Sequence, residues 1–180
     1  GTESSVLYEG GLMIAHSSSK QSDCVRAFPA GISNLDFEPI QNPMFVNDNY
    51  SYKHVQSSFK DTSVYSVNPL RVKVIQDAYT INTLDFKNTT ILHYQIINQS
   101  SGNYDSIYVG QFLDWDIQDY SRNRTDYDYT SQMGYAFNIL AGGQYAGIVA
   151  LTKDPIVNYF AMDNSFVGGN NIDPNDGFTL

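Results

Sequence analysis

The chain has 180 residues, 42% of them apolar and 16% charged, with a formal charge of −9 and a pI near 4.5. That length and apolar content suffice for one globular domain with a proper core and exclude a disordered chain. The acidic balance and the scattering of ten Lys and Arg exclude a phosphate-tracking nucleic-acid surface and disfavour an anionic membrane as partner.

The predicted elements are β throughout. "SVLYEGGLMIAHS" holds two short apolar runs around Gly10 and Gly11, which predicts a tight turn or bulge between two strands. "DCVRAF" reads as another short strand. From Phe28 to Asp61 the chain is irregular, with Pro29, Pro39 and Pro43, and one short strand is expected near Lys53 to Phe59. In "LRVKVIQDAYTI" alternation puts Val72, Val74, Gln76 and Ala78 on one face, with Arg71, Lys73, Ile75 and Asp77 on the other. "NTTILHYQIINQSSGNYDSIYVGQFLDWD" predicts two strands around a Ser-Ser-Gly-Asn turn. "MGYAFNIL", Gly142-Gly143 and "YAGIVALT" predict a further strand–turn–strand unit. "PIVNYFAM" fits one more strand or a short helix, and the tail from Val167 is turn-rich.

No segment sustains a helical apolar period between convincing caps, and β-branched and aromatic residues fill the periodic runs. The expectation is a single all-β domain over 1–180, an antiparallel β-sandwich in the jelly-roll or Ig-like style with long irregular loops. No stretch has the 18 or so consecutive apolar residues of a membrane span. No signal peptide opens the chain, so it is read as a fragment of a longer secreted protein.

Motifs that declare an enzyme are missing: there is no G-x-S-x-G elbow, no Gly-rich phosphate loop with Lys and no H-E-x-x-H. The histidines number three. His16 stands beside a Ser-rich turn, His54 is expected to be exposed in the irregular region, and His93 is expected to be a satisfied strand residue. None has metal-ligand spacing. Cys24, the single cysteine, allows no internal disulfide and is expected to behave as a small buried hydrophobe.

The acidic stretch "LDWDIQDYSRNRTDYDYT" is the chief functional candidate. Asp114 and Asp116 flank Trp115; if the strand reaches Asp116, both carboxylates share a face and repel each other. Asp119, Asn123, Asp126 and Asp128 follow in what reads as one loop. Three readings compete. Asp114, Asp116 and Asp119, with Asp126 and Asp128 outside them, could hold Ca2+, which takes six to eight oxygen ligands in flexible geometry. The carboxylates could instead be solvated, with Arg122 and Arg124 as partners. Or Trp115, Tyr120, Tyr127 and Tyr129, with Arg122 and Arg124, could bind a ligand such as a sugar directly. A second acidic segment, Asn171, Asp173, Asn175 and Asp176 before Gly177, reads as an Asx-rich turn because the glycine falls one residue late for an EF-hand and no closing Glu follows. Sequons begin at Asn49, Asn88, Asn98 and Asn123.

The run from "VIQDAYTINTLDF" through "TTILHYQIINQSSGNYDSIYVGQFLDWDIQD" to "DYDYTSQMGYAFN" resembles a β-sandwich module of large secreted Bacteroidetes-type proteins. The opening "YEGGLMIAHSSSKQSDCVR" is also similar to the start of such modules, and "YVGQFLDWDI" is the best marker. Such modules often lie downstream of a subtilisin-like peptidase domain. The resemblance implies an extracellular or cell-surface accessory domain, not the peptidase: the peptidase's Asp, His and Ser segments are absent, so no catalytic residue carries over. The expected function is therefore a non-catalytic interaction module with a structural Ca2+ site. Its partners would be neighbouring domains of the same polypeptide, or a protein or glycan substrate. The alternatives are a carbohydrate-binding module, which needs exposed and coplanar aromatics, and a glycoside hydrolase, which needs two carboxyls facing across a cleft.

Overall fold

The computed structural model describes residues 6–27, 32–152 and 158–161. Among these there are twelve β-strands and one short 3-10 turn. In chain order the strands are β1 (Leu7–Ser17), β2 (Lys20–Ser22), β3 (Arg26–Ala27), β4 (Ile32–Ser33), β5 (Glu38–Asp48) and β6 (Tyr52–Lys60). They continue with β7 (Val72–Ile81), β8 (Thr90–Asn98), β9 (Tyr108–Trp115), β10 (Asn123–Asp128), β11 (Met133–Asn138) and β12 (Tyr145–Val149). They form sheets in the orders β2-β1-β9, β5-β6-β7-β8, β10-β11-β12 and β3-β4. The class expected from sequence, all-β with antiparallel pairing, is the one the chain adopts.

The chain divides into two compact units, each described by itself. The central unit comprises Leu12–Cys24 and Ser33–Gly110; the terminal unit comprises the described residues of Gly1–Gly11, Val25–Ile32 and Gln111–Leu180.

In the central unit, β5 to β8 form an antiparallel meander. Alternation on β7 turns Val72 and Val74 inward, as expected. They pack with Leu70 against Leu12 and Ile14 of β1, and Phe37, Phe59, Tyr94, Ile96 and Tyr104 close the cluster. β1 over β7 makes two layers, a β-sandwich. Each fully buried Val, Leu or Ile here stabilises by about 2 kcal/mol.

Beside this core sits a buried polar knot. Asp61, fully buried, accepts from Ser22 Oγ at 2.8 Å, from Val72 N at 2.7 Å and from Arg71 N at 3.1 Å. Those donors compensate for removing a carboxylate from water.

Four local expectations are corrected. Gly10 and Gly11 make no turn: β1 runs through them. A Cβ on Gly11 would lie 2.5 Å from Val25 Cγ1, so close packing is what that glycine answers to. The described part of the region from 28 to 61, residues 32–61, is not mainly irregular, because β5 is an eleven-residue strand within it. β5 is an edge strand with three register shifts, and an edge tolerates Pro39 and Pro43 where a central strand would not. His54 is not in an irregular region but in mid β6. Cys24 is exposed, not buried. The segment 153–157 and the tail from Met162, including Asn171 to Gly177, lie outside the described residues.

Candidate functional site

The acidic stretch splits into three local structures instead of one loop. β9 ends at Trp115, and Asp116 N donates to Val6 O at 3.0 Å. Asp114, Trp115 and Asp116 are half-buried, and both carboxylate residues are engaged by neighbours. Asp119 then caps the 3-10 turn Tyr120–Arg122, accepting from Ser121 Oγ at 2.6 Å, Ser121 N at 3.2 Å and Arg122 Nε at 3.3 Å. The Ser121 bonds, ahead of the nearby Arg122 charge, hold the Asp119 carboxyl below the usual carboxylate range.

Asp126 and Asp128 belong to strand β10, not to a loop. Asp128 accepts from Ser131 Oγ at 2.6 Å and from Thr130 N at 2.9 Å, which lowers its pKa as well. Asp126 accepts from Tyr135 OH at 3.2 Å. Among the described residues no three His, Cys, Asp or Glu side chains gather closely enough to hold a metal ion. Of the carboxylates proposed for Ca2+, Asp119, Asp126 and Asp128 thus have donors of their own.

The predicted aromatic ligands are also dispersed. Tyr120 and Tyr129 are exposed, but Tyr127 is half-buried, stacked on Tyr159 at 5.0 Å and edge-on to Tyr129 at 86°. Arg122 is bound to Asp119, and Arg124 Nη1 donates to Asn123 O at 2.6 Å.

The structure assembles a different aromatic set. β11 pairs with β10 and β12 in unbroken antiparallel register, placing Tyr135 between Asp126 and Gly147 and Phe137 between Arg124 and Tyr145. The period of two gives this sheet a buried face, with Gly134, Ala136 and Asn138, and an opposite face carrying Arg124, Asp126, Asp128, Met133, Tyr135, Phe137 and Tyr145.

On that opposite face Phe137 and Tyr145 stack at 5.4 Å with 16° between their planes. Tyr135 lies 6.0 Å from Phe137 and 6.4 Å from Tyr145, inclined by 34° and 35°. The three rings form a ladder of similar orientation, and Tyr145 is 71% exposed. Gly147 puts no side chain opposite Tyr135. Beside it opens a shallow depression of about 440 Å³ lined by Asp128, Met133, Tyr135, Tyr145, Ala146 and Gly147. Partial enclosure and then the Asp126 carboxylate raise the pKa of the Tyr135 phenol, so it stays a donor at neutral pH.

Buried Asn138 holds the end of this sheet. Its Nδ2 donates to Ile117 O at 2.9 Å and Asp119 O at 2.8 Å, and its Oδ1 accepts from Leu140 N at 3.0 Å. Sequence reasoning passed over Tyr135, Phe137 and Tyr145. The signal was present in the alternation of "MGYAFN" and in the Gly-Gly turn, which together set the cross-strand pairs.

The central unit carries a second constellation. Asp77, only 7% exposed, accepts from His54 Nε2 at 2.7 Å and Gln56 Nε2 at 2.8 Å and lies 3.4 Å from His93 Nδ1. Tyr79 stacks on His54 at 4.3 Å. With one nitrogen of each imidazole turned to the carboxylate, the cluster cross-links β6, β7 and β8. His16 turns Nδ1 to Ser106 O at 2.8 Å. Cys24 Sγ accepts from Phe37 N at 3.2 Å. Partial enclosure of the sulfur and the neighbouring Asp36 and Asp23 raise its pKa against that bond, so the thiol is no ready nucleophile.

A further depression of about 500 Å³ lies at the end of the meander, lined in part by Asp48, Tyr50, Tyr52, Lys53, Asn82 and Lys87. Its Lys53 is already paired with Asp48 at 2.9 Å.

Comparison with protein-family models, with curated proteins and with solved structures matched none of them.

Proposed function

We propose that the chain is a non-catalytic accessory module that holds a carbohydrate on the exposed face of β10, β11 and β12. The observation that carries this reading is the ladder of Tyr135, Phe137 and Tyr145, with near-parallel Phe137 and Tyr145 rings. The C–H face of a pyranose is apolar and lies against an aromatic face, while its hydroxyls need acceptors and donors at the rim. Asp126, Asp128, the Tyr135 phenol and Arg124 supply them. An open face with apolar walls and a few polar groups is the general form of a small-ligand site. Asp126 and Asp128 stand two residues apart on one side of one strand, not across a cleft, which favours holding a glycan over cleaving it.

The extracellular setting, and membership of an exported multidomain protein such as a subtilisin-like peptidase, rest on the sequence resemblance alone. The proposal retains a structural Ca2+ on Asp114, Asp116 and Asp119 as a separate element. It rests on the density of carboxylates in the sequence and requires the ion to draw them together.

The test is binding of soluble polysaccharides by affinity electrophoresis and calorimetry, comparing the unmodified chain with Tyr145→Ala and Phe137→Ala. Retention by at least one polysaccharide, clearly weakened in both variants, is the expected result. Absence of binding across plant, fungal and bacterial glycans overturns the reading.

A further inference from the structure

We infer that β8 is a self-association edge through which two copies of this chain pair, antiparallel, about Tyr94. The four-stranded meander ends in two strands of opposite character. β5, one edge, carries Glu38 and Asp48 at its ends, Pro39 and Pro43 within it, and three register shifts against β6. Prolines, charges and bulges are the devices that keep sheet edges from pairing with other chains. β8, the other edge, has none of them. Its nine residues, "TILHYQIIN", contain no Pro, Gly, Asp, Glu, Lys or Arg, and they pair with β7 in unbroken register from Thr90 to Asn98. Among the described residues no strand pairs with its other side.

The side chains say which partner fits. Antiparallel pairing of β8 with a second β8 about Tyr94 sets Ile91 opposite Ile97, Leu92 opposite Ile96, His93 opposite Gln95 and Thr90 opposite Asn98 of the other copy. Apolar meets apolar on both faces, and the one polar pair in the middle joins an imidazole to an amide. Leu92 and Ile97, 40% and 41% exposed, would be covered. Charge points the same way. Copies with a net charge of −9 repel each other over most of their surface, and β8 is a strand on which no formal charges would be juxtaposed. A heterologous strand needs no such palindrome. One strand edge buries little area, so the dimer is expected to be weak and rapidly exchanging.

Sedimentation analysis of the whole chain from about 1 µM to about 1 mM tests this. The expected result is a monomer–dimer equilibrium that Ile97→Glu weakens by about tenfold or more, with an unchanged circular dichroism spectrum. Ile91→Lys is expected to do the same. Mixing these two variants restores association, because the carboxylate introduced at position 97 of one copy faces the ammonium introduced at position 91 of the other in the register above. Hydrogen exchange of the unmodified chain gives an independent reading: β8 amides should exchange more slowly at the higher concentration. A monomer at every concentration, a dimer indifferent to both substitutions, or two monomeric variants that fail to rescue each other when mixed overturns the inference.

Discussion

Asp61 accepts a hydrogen bond from the main-chain N–H of Arg71 at 3.1 Å, and Arg71 is one of three described non-glycine residues with positive φ, at 64°. A left-handed φ is unfavourable for a side chain such as arginine's and persists only where the surroundings impose it. The Asp61 carboxylate does so by also taking Val72 N at 2.7 Å, while Gln99 N donates to Arg71 O at 2.8 Å. The start of β7, and with it the inward register of Val72 and Val74, is thereby pinned. Asp61→Ala leaves Ser22 Oγ and two amides without their acceptor in a buried place. The expected loss is about 3 kcal/mol, or a fall in Tm of roughly 6 to 12 °C for a chain of this length. Thermal unfolding followed by circular dichroism reads it; a fall under about 2 °C would show that water replaces the carboxylate.

Acid should weaken the central unit through Asp77. Hydrogen bonds from Gln56 and then His54 lower its pKa from the usual 3.8. A carboxyl whose folded pKa is depressed contributes stability above its unfolded pKa and loses it as pH falls through the folded value. The Asp77 contribution is therefore present from neutral pH down to the unfolded value of about 4 and is lost progressively as pH falls from there through the lower folded value. Urea unfolding at a series of pH values should show a shallower acid decline in Asp77→Asn than in the unmodified chain. Equal slopes would assign the acid dependence to other carboxylates, with Asp119 and Asp128 lowered in the same sense.

The β11–β12 turn makes a prediction about neighbouring glycines. Gly142 has φ of 73° with open space around its missing Cβ, whereas a Cβ on Gly143 would lie only 2.0 Å from Asn138 O. Gly142→Ala meets only the left-handed backbone penalty, about 1 kcal/mol. Gly143→Ala collides with main chain and should cost about 2 kcal/mol or more. The larger loss at 143, measured by chemical denaturation, is the expected order.

Tyr145→Ala removes the most exposed rung of the aromatic ladder. With a glycan bound there, the loss of one stacking ring is about 1 to 2 kcal/mol, roughly 5- to 30-fold in Kd. Tm should change little, since Tyr145 packs mainly against Phe137. Trp115→Phe should leave affinity unchanged, because Trp115 is half-buried on β9 and not part of this face. An equal loss in both variants would move the site away from β10–β12.

Ca2+ at about 100 times its Kd should raise stability by about 2.7 kcal/mol, and Asp116→Asn should blunt the rise. A midpoint that ignores millimolar Ca2+ and chelator removes the ion from the account.

By itself the sequence determined the class and the periodicity. Alternating β-branched and aromatic residues in "VKVIQDAYTI" and "MGYAFN" have one way to bury an apolar face, and that is as strands; Gly142-Gly143 marks its hairpin because few residues fit so tight a turn. Tertiary structure alone decided the rest. β5 is irregular in composition, and only pairing with β6 makes it a strand. Asp114 to Asp128 are close in number but are divided among a strand end, a cap and a second strand, and Asp119, Asp126 and Asp128 each take a nearby backbone or hydroxyl donor. The ring ladder joins Tyr135 and Phe137 to Tyr145, and the Asp77 cluster joins three strands. Alternation and the Gly-Gly turn mark the hairpin that carries the ladder, but the Asp77 cluster cannot be read along the chain, because cross-strand register brings together residues whose spacing in sequence carries no period.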